Sequence, residues 1–162
     1  MRTIVISGAS RGIGLNIAHR ELKAGNRISI GIRDLESVKG SVIDPNNWPK
    51  EKLLINKYDA LDKFSAKEWV ENTINKFGSF DTLINCSGVI SKVPFLYKDR
   101  DEEEIVNTFN INFLAIWKLC RLSWEHLIQS NNGRIVVLVS MSGKRSKGDL
   151  AAYSSSKFAL MS

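Results

Sequence analysis

The sequence has no apolar run approaching the roughly 18 to 20 residues that a membrane-spanning helix needs. Its opening Met1-Arg2-Thr3 runs straight into Ile4-Val5-Ile6, too short an apolar core for a signal peptide and without a small-residue cleavage pattern behind it. Cysteine is scarce: Cys86 and Cys120 are the only two, neither has metal-ligand spacing, and both read as free thiols. These absences point to a cytoplasmic protein with no bound metal. There is no internal repeat, no low-complexity segment and no linker, so 1–162 reads as one domain large enough to bury a core. No recognisable nucleic-acid module is present either, and no Arg/Lys run is interleaved with aromatics.

What is present is ordinary for a globular chain, with 43% apolar and 25% charged residues. The net charge of +6 is unevenly placed. Residues 1–57 and 131–162 carry the basic excess, whereas 58–130 is net acidic. A small polyanionic ligand held between the two basic stretches accounts for this, and so does a solvated basic surface.

The hydrophobic periodicities alternate along the chain. Thr3–Ser7 is a short β-branched run, and Arg27–Ile32 places Ile28, Ile30 and Ile32 at period two. Between them Ile13, Ile17, Ala18 and Leu22 share one side of a helix that Gly25-Asn26 stops. A polar stretch from Asp34 to Lys50 predicts a short helix and a loop, with Asp34 as an N-cap. Leu53-Leu54-Ile55 predicts a third strand, Thr82-Leu83-Ile84 a fourth and Arg134–Val139 a fifth. Ser65 with Glu68 has capping-box spacing and opens a helix ending at Phe77-Gly78. The longest helix is expected over roughly Asp101 to Ile128, with acidic residues at its positive dipole end. Its part from Ile111 to Cys120 is apolar nearly all round, which predicts burial on more than one side, within the domain or against another subunit. Such alternation predicts an α/β fold, a Rossmann-type doubly wound parallel sheet with helices on both faces.

Gly8-Ala9-Ser10-Arg11-Gly12-Ile13-Gly14 falls between the first strand and the first helix. Glycines there allow a tight turn and let backbone N–H groups approach a pyrophosphate at the helix amino terminus. A ligand-free βα turn is the plainer alternative. With Ser7 in front, the segment resembles the T-G-x-x-x-G-[IL]-G fingerprint of the short-chain dehydrogenase/reductase family, with Ser for the leading Thr. Further landmarks follow in order: Asp59-Ala60 after strand three; Asn85-Cys86-Ser87-Gly88 after strand four, where the family has N-N-A-G; Asn112 in the long helix; Ser140-Met141-Ser142-Gly143 after strand five; and Tyr153-Ser154-Ser155-Ser156-Lys157, matching Y-x-x-x-K. The resemblance covers the whole chain.

Tyr153 and Lys157 are four apart and share a helical face. A nearby ammonium favours the phenolate, which suits proton transfer near neutral pH by a group of ordinary pKa about 10. The resemblance implies that Tyr153 exchanges the proton of a carbonyl or alcohol oxygen and that Lys157 also bonds the nicotinamide ribose. It further implies that Ser140 hydrogen-bonds the substrate oxygen and that Asn112 holds a water leading to Lys157. Ser142 is the rival for the serine role, its alternative being to cap the following turn. Cofactor contacts are expected from Gly8, Ser10, Arg11, Gly12, Ile13, Gly14, Arg33, Asp59, Ala60, Asn85, Ser87, Gly88, Tyr153 and Lys157.

An acidic residue after strand two would bond the 2′-hydroxyl of NAD, and an arginine would receive the 2′-phosphate of NADP. Ile32-Arg33, together with Arg11, predicts NADP. The expected activity is therefore an NADP-dependent oxidoreductase interconverting a carbonyl and a secondary alcohol on a small molecule; a non-catalytic dinucleotide-binding module is the alternative. Substrate is expected to meet Ser140, Met141, Ser142 and the Val89–Phe95 loop, and Lys144-Arg145-Ser146-Lys147 could attract an acidic one. The expected partner is a second copy, in a homo-oligomer formed through the 101–128 helix. Family members continue through two further strands and a segment that lids the substrate pocket. The resemblance thus implies a fold truncated after strand five and the start of the Tyr–Lys helix, incomplete at the C-terminus and poorly folded and nearly inactive alone.

Overall fold

The computed structural model describes residues 1–145 and 148–161, so Ser146 and Lys147 of the basic segment after strand five lie outside the described residues. Five parallel strands form one sheet: β1 (Thr3–Ser7), β2 (Arg27–Ile32), β3 (Leu53–Lys57), β4 (Thr82–Asn85) and β5 (Arg134–Val137). Their spatial order is β3-β2-β1-β4-β5, which reverses direction between β1 and β4. In a doubly wound sheet, that reversal opens a crevice at the carboxyl ends of the strands. Both functional loops, the glycine turn after β1 and the Asn85–Gly88 segment after β4, emerge there.

The period-two pattern sorts the strands into two unlike faces. Ile4, Ile6, Ile28, Ile30, Ile32, Leu53 and Ile84 pack together with Ala18 and Leu22 of α1 (Gly12–Lys23). Each fully buried aliphatic side chain contributes about 1.5–3 kcal/mol, so this face is held by burial alone. The opposite face sets Val5, Leu83 and Tyr58 against α2 (Ser65–Phe77) and α4 (Ala115–Ile128), through Trp69, Leu119 and Leu127. It also buries a polar network: Ser29 Oγ bonds Thr73 Oγ1 at 2.7 Å and accepts from Trp69 Nε1 at 2.9 Å.

Local signals were met in part. Gly25 takes φ +83° and ends α1 as expected of a residue tolerant of positive φ. Ile13, expected on the apolar side of α1, is exposed instead, because the first turn of the helix faces the crevice. Asp34 caps a single 3-10 turn, Leu35–Val38, accepting from Glu36 N at 2.9 Å. Asp44 caps a second, Pro45–Asn47, in place of the expected short helix and loop.

Two expectations are corrected. Ser65 does not form a capping box: its hydroxyl bonds the backbone of Asp59, and Asp62 Oδ1 accepts from Phe64 N and Ser65 N. Glu68 N, the donor that a capping serine would receive, bonds Phe64 O at 3.1 Å instead. The long helix is not continuous either. It consists of α3 (Glu102–Phe109), a π turn at Asn110–Leu114, and α4. Within Ile111–Cys120 the chain itself buries Asn112, Ala115, Ile116 and Leu119, while Leu114 of the π turn and Trp117 are exposed, Trp117 by 64%, as are Trp124 and Ile128 further along α4. The last helix, α5 (Ala151–Ala159), carries Tyr153 and Lys157.

Candidate functional site

A cleft of about 700 Å³ opens at the strand reversal. The three glycines of the turn after β1 are required for different reasons. Gly8 sits at φ +69°, and a Cβ there would lie 2.7 Å from Ser87 N, so β1 and β4 approach too closely for any side chain. Gly14 has ordinary φ, but its Cβ would meet Gly8 O at 2.6 Å. Gly12 has space around it and is required by its φ of +59° alone. α1 starts without a side-chain cap, which leaves its first N–H groups and the positive dipole end directed at the cleft. Ser10, Arg11 and Ile13 complete this wall.

The next wall comes from the ends of β2 and β3. Arg33 lines the cleft and is exposed, as Arg11 is. Among the described residues neither forms an ion pair. Asp34 also lines the cleft, but its carboxylate is engaged by Glu36 N. Asp59 and Ala60 are present as expected, Asp59 Oδ1 accepting from Leu61 N at 3.0 Å. Gly31, Ser37, Tyr58 and Leu61 line the cleft as well, and sequence reasoning missed them. For Tyr58 a signal existed, since it stands immediately before Asp59. Burial, with a smaller push from Asp59, raises its phenol to about 12.

The β4 loop forms the third wall. Ser87 and Gly88 line it, with Cys86 between Asn85 and Ser87. Ser87 Oγ and Ser7 Oγ bond each other at 3.0 Å, and Ser87 N donates to Ser7 Oγ at 3.3 Å. Two of the three positions that depart from the family pattern, Ser for Thr and Ser for Ala, thus meet in one contact, while Cys86 is the third. Asn85 does not line the cleft. Strand alternation turns its side chain to the α4 face with Leu83, where Nδ2 approaches Cys120 Sγ at 3.6 Å. Its backbone O accepts from Leu138 N at 3.0 Å and ties β5 to β4.

Beneath this loop lies a compact polar cluster. Asn112, fully buried in the π turn, accepts at Oδ1 from Val89 N (2.9 Å) and donates from Nδ2 to Val89 O (2.9 Å) and Ser156 Oγ (3.0 Å). Ser156 Oγ in turn donates to Tyr153 O at 2.7 Å. Lys157, only 6% exposed, donates from Nζ to Leu138 O at 3.0 Å. A Cβ on Gly88 would stand 3.4 Å from that Nζ and 3.2 Å from Asn112 Oδ1. Burial pulls the Lys157 pKa below its ordinary value, partly offset by the Cys86 thiol. Burial pushes the Cys86 thiol up to about 11, against the pull of Lys157.

Tyr153 is half-buried on the same helix. Ser140 precedes the 3-10 turn Met141–Gly143, and its Oγ accepts from Ser142 N at 3.1 Å. The turn-capping role weighed for Ser142 therefore falls to Ser140, because the backbone at Ser140 is extended and its hydroxyl overhangs the turn. As an acceptor in that bond, the hydroxyl keeps its own proton for donation elsewhere. Gly143 packs on α5 so tightly that a Cβ would lie 3.1 Å from Lys157 C and Phe158 N.

The cleft joins an anion-receptive helix terminus to two arginines that form no ion pair among the described residues, while the buried lysine, one helical turn from Tyr153, lies beneath the β4 loop and does not itself line the cleft. The family model for short chain dehydrogenase matches residues 2–162. Agropine synthesis reductase of Rhizobium rhizogenes is 34% identical over 157 residues, covering 97% of this chain and 35% of the relative. The (S)-acetoin-forming diacetyl reductase of Staphylococcus epidermidis is 28% identical over 165 residues, covering 99% and 62%. Among solved structures, a short-chain dehydrogenase from Streptomyces avermitilis superposes with a TM-score of 0.88 at 23% identity, covering 98% of this chain and 56% of that one. A short-chain dehydrogenase/reductase from Brucella melitensis gives 0.85 at 28% identity, covering 98% and 65%. The chain thus spans between about a third and two-thirds of the length of these relatives.

Proposed function

Because the chain belongs to the short chain dehydrogenase family, we propose that it carries the cofactor site and proton-transfer pair of an NADP-dependent oxidoreductase interconverting a carbonyl and a secondary alcohol. The observation that carries this reading is the junction of the two: Lys157, anchored on Leu138 O, stands against Gly88 of the nucleotide cleft. The residues fit the cofactor. The Gly8–Gly14 turn folds the backbone tightly at the mouth of the cleft with open space at Gly12, and the uncapped α1 terminus receives the pyrophosphate charge. Arg33 and Arg11 receive the 2′-phosphate, while Asp34, one position later and capping the Leu35–Val38 turn through Oδ1, does not stand in for the acidic residue of an NAD site. Asp59 and Ala60 flank the adenine, and Ser87 and Gly88 the other ribose. When bound, the nicotinamide supplies or accepts the hydride.

The chain's own residues supply the rest. Tyr153 gives its proton to the substrate oxygen in reduction and takes it back in oxidation. Lys157 stabilises the phenolate, and Ser140 donates to the oxygen where negative charge develops. Asn112 acts from below, holding the water that leads to Lys157. The substrate is a small molecule, and the half-buried free thiols Cys86 and Cys120 support a cytoplasmic setting. A homo-oligomer through the long helix is part of this reading, supported by the exposed Leu114, Trp117, Trp124 and Ile128. Trp117→Lys is expected to shift the sedimenting species to monomer, and an unchanged distribution removes the helix from the interface.

Tyr153→Phe tests the core of the proposal. Carbonyl turnover is expected to fall about 10³-fold with NADPH affinity kept; retained turnover sinks the proton-transfer role. A clear preference for NADH over NADPH in the unmodified protein sinks the Arg11/Arg33 argument.

A further inference from the structure

We infer that Trp69, which does not itself line the cleft, is a positioning residue for the adenosine half of the cofactor, acting through Gly31 and Tyr58. The inference rests on the proposed dinucleotide reading, in which the Arg33–Asp59 end of the cleft takes that half. Two of the residues lining this end are Gly31 and Tyr58. Trp69 stands directly behind both. Its six-membered ring lies so close to β2 that a Cβ on Gly31 would be 2.5 Å from Cζ3 and 2.7 Å from Cε3 and Cη2. The Tyr58 ring rests on it with centroids 5.0 Å apart and planes tilted by 39°.

The indole has no freedom to adjust. Trp69 is fully buried, and its Nε1 donates to Ser29 Oγ at 2.9 Å, on the same strand and face as Gly31. Ser29 is itself held by Thr73 Oγ1 at 2.7 Å. Strand contact, ring contact and hydrogen bond fix the indole at three points. Its thickness therefore sets how far the ends of β2 and β3 stand from α2, and so the depth of the cleft beside Arg33 and Asp59. A bulky ring opposite a strand glycine is a matched pair, in which neither member can change without moving the floor of the cleft.

The test compares Trp69→Phe and Ser29→Ala with the unmodified protein by titration calorimetry. One probe is ADP-ribose, which reports on the adenosine half without the 2′-phosphate contacts of Arg11 and Arg33; the other is reduced nicotinamide mononucleotide. For Trp69→Phe the ADP-ribose affinity is expected to fall about tenfold, and that of the mononucleotide to stay within about twofold, since a displacement of order 1 Å is felt where the surface moves. Ser29→Ala, which keeps the ring and removes its anchor, is expected to give about a threefold selective loss in the same direction. Should Trp69→Phe fail to fold, the Ser29→Ala ratio decides. Equal losses for both probes, as general destabilisation produces, overturn the inference, and so does an unchanged ADP-ribose affinity. An unmodified protein that binds neither probe overturns the dinucleotide reading itself, and the positioning role with it.

Discussion

The two sides of the cleft are secured by different physics. On the glycine-turn side, β1 is buried along its whole length and β2 from Ile28 to Ile32, between layers that include Ile4, Ile6, Ile28 and Ile30 on one face and Trp69 on the other. On the Tyr153 side, β5 is exposed from Arg134 to Val136 and, among the described residues, pairs with β4 alone. There α5, nine residues long, is tied down by single polar contacts: Lys157 to Leu138 O, Ser156 to Asn112, and its backbone against Gly143. Burial spreads its stabilisation over many atoms, whereas a hydrogen bond concentrates about 0.5–1.5 kcal/mol in one pair. The first wall is accordingly sensitive to added volume, and the second to the loss of individual polar atoms.

The sharpest way to break this comparison is Gly8→Ala. The added methyl would lie 2.7 Å from Ser87 N and 2.8 Å from Ser87 Cα, both backbone atoms, at a φ that L residues avoid. Moving either strand disturbs the buried wall, so we expect a loss of about 2–4 kcal/mol in urea unfolding together with loss of nucleotide binding. Gly12→Ala is the control. It has the same kind of φ but meets nothing within 4 Å, so it should cost only about 1–2 kcal/mol. Equal costs for the two would show that close approach of β1 and β4 does not constrain this turn.

Lys157→Met probes the second wall with a smaller effect on folding. The methionine keeps much of the apolar stem but carries neither charge nor donor. Since burial disfavours the ammonium, stability is expected to change by less than about 1 kcal/mol, the lost bond to Leu138 O being offset by relief of the buried charge. Turnover is expected to fall about a hundredfold or more. A large stability loss with turnover kept would make Lys157 a strut rather than a chemical group.

What the sequence makes legible follows the same division. β1 and β2 begin and end where the apolar runs do, because both are buried and bounded by glycine turns at Gly8 and Gly25. Gly8, Ser10, Arg11, Gly12, Ile13 and Gly14 of the glycine turn and Arg33, Asp59, Ala60, Ser87 and Gly88 all reach the cleft, since the order of elements brings them to one end of the sheet. Features set by distant partners were not legible. The π turn is imposed by an Asn112 amide whose partners lie 23 and 44 residues away. The matched pair of Trp69 and Gly31 spans two elements, and no local pattern announces it. The side-chain direction of Asn85 could have been read, because it shares the period-two phase of Leu83, but a motif match records identity and not the face of the strand.

The smallest expected effect lies where the two walls meet, at Cys86 and Lys157, and it takes the form of opposed pH dependences. Folded Cys86 titrates at about 11 against an ordinary 9.0. Between these values the folded chain keeps a proton that the unfolded chain has released, so the contribution of Cys86 is complete below pH 9 and declines as pH rises to 11. Lys157 has the reverse sign. Its pKa is lowered from 10.5, so the folded chain gives up that proton first, and the penalty of burying the ammonium is relieved as pH climbs towards 10.5. Unfolding free energies measured in urea from pH 8 to 11 should therefore fall less steeply for Cys86→Ala than for the unmodified protein. For Lys157→Met they should fall more steeply. For Cys86 the difference is at most about 1 kcal/mol, because the thiol is only half-buried and water screens it. Tyr58, raised to about 12 from 10.0, and Cys120, whose thiol burial also pushes up, add declines of the same sign, so the share of Cys86 is the difference between the unmodified protein and Cys86→Ala. Curves that stay parallel for all three proteins would mean that the junction is wetter than its packing implies, and that the ammonium of Lys157 meets water from the cleft side.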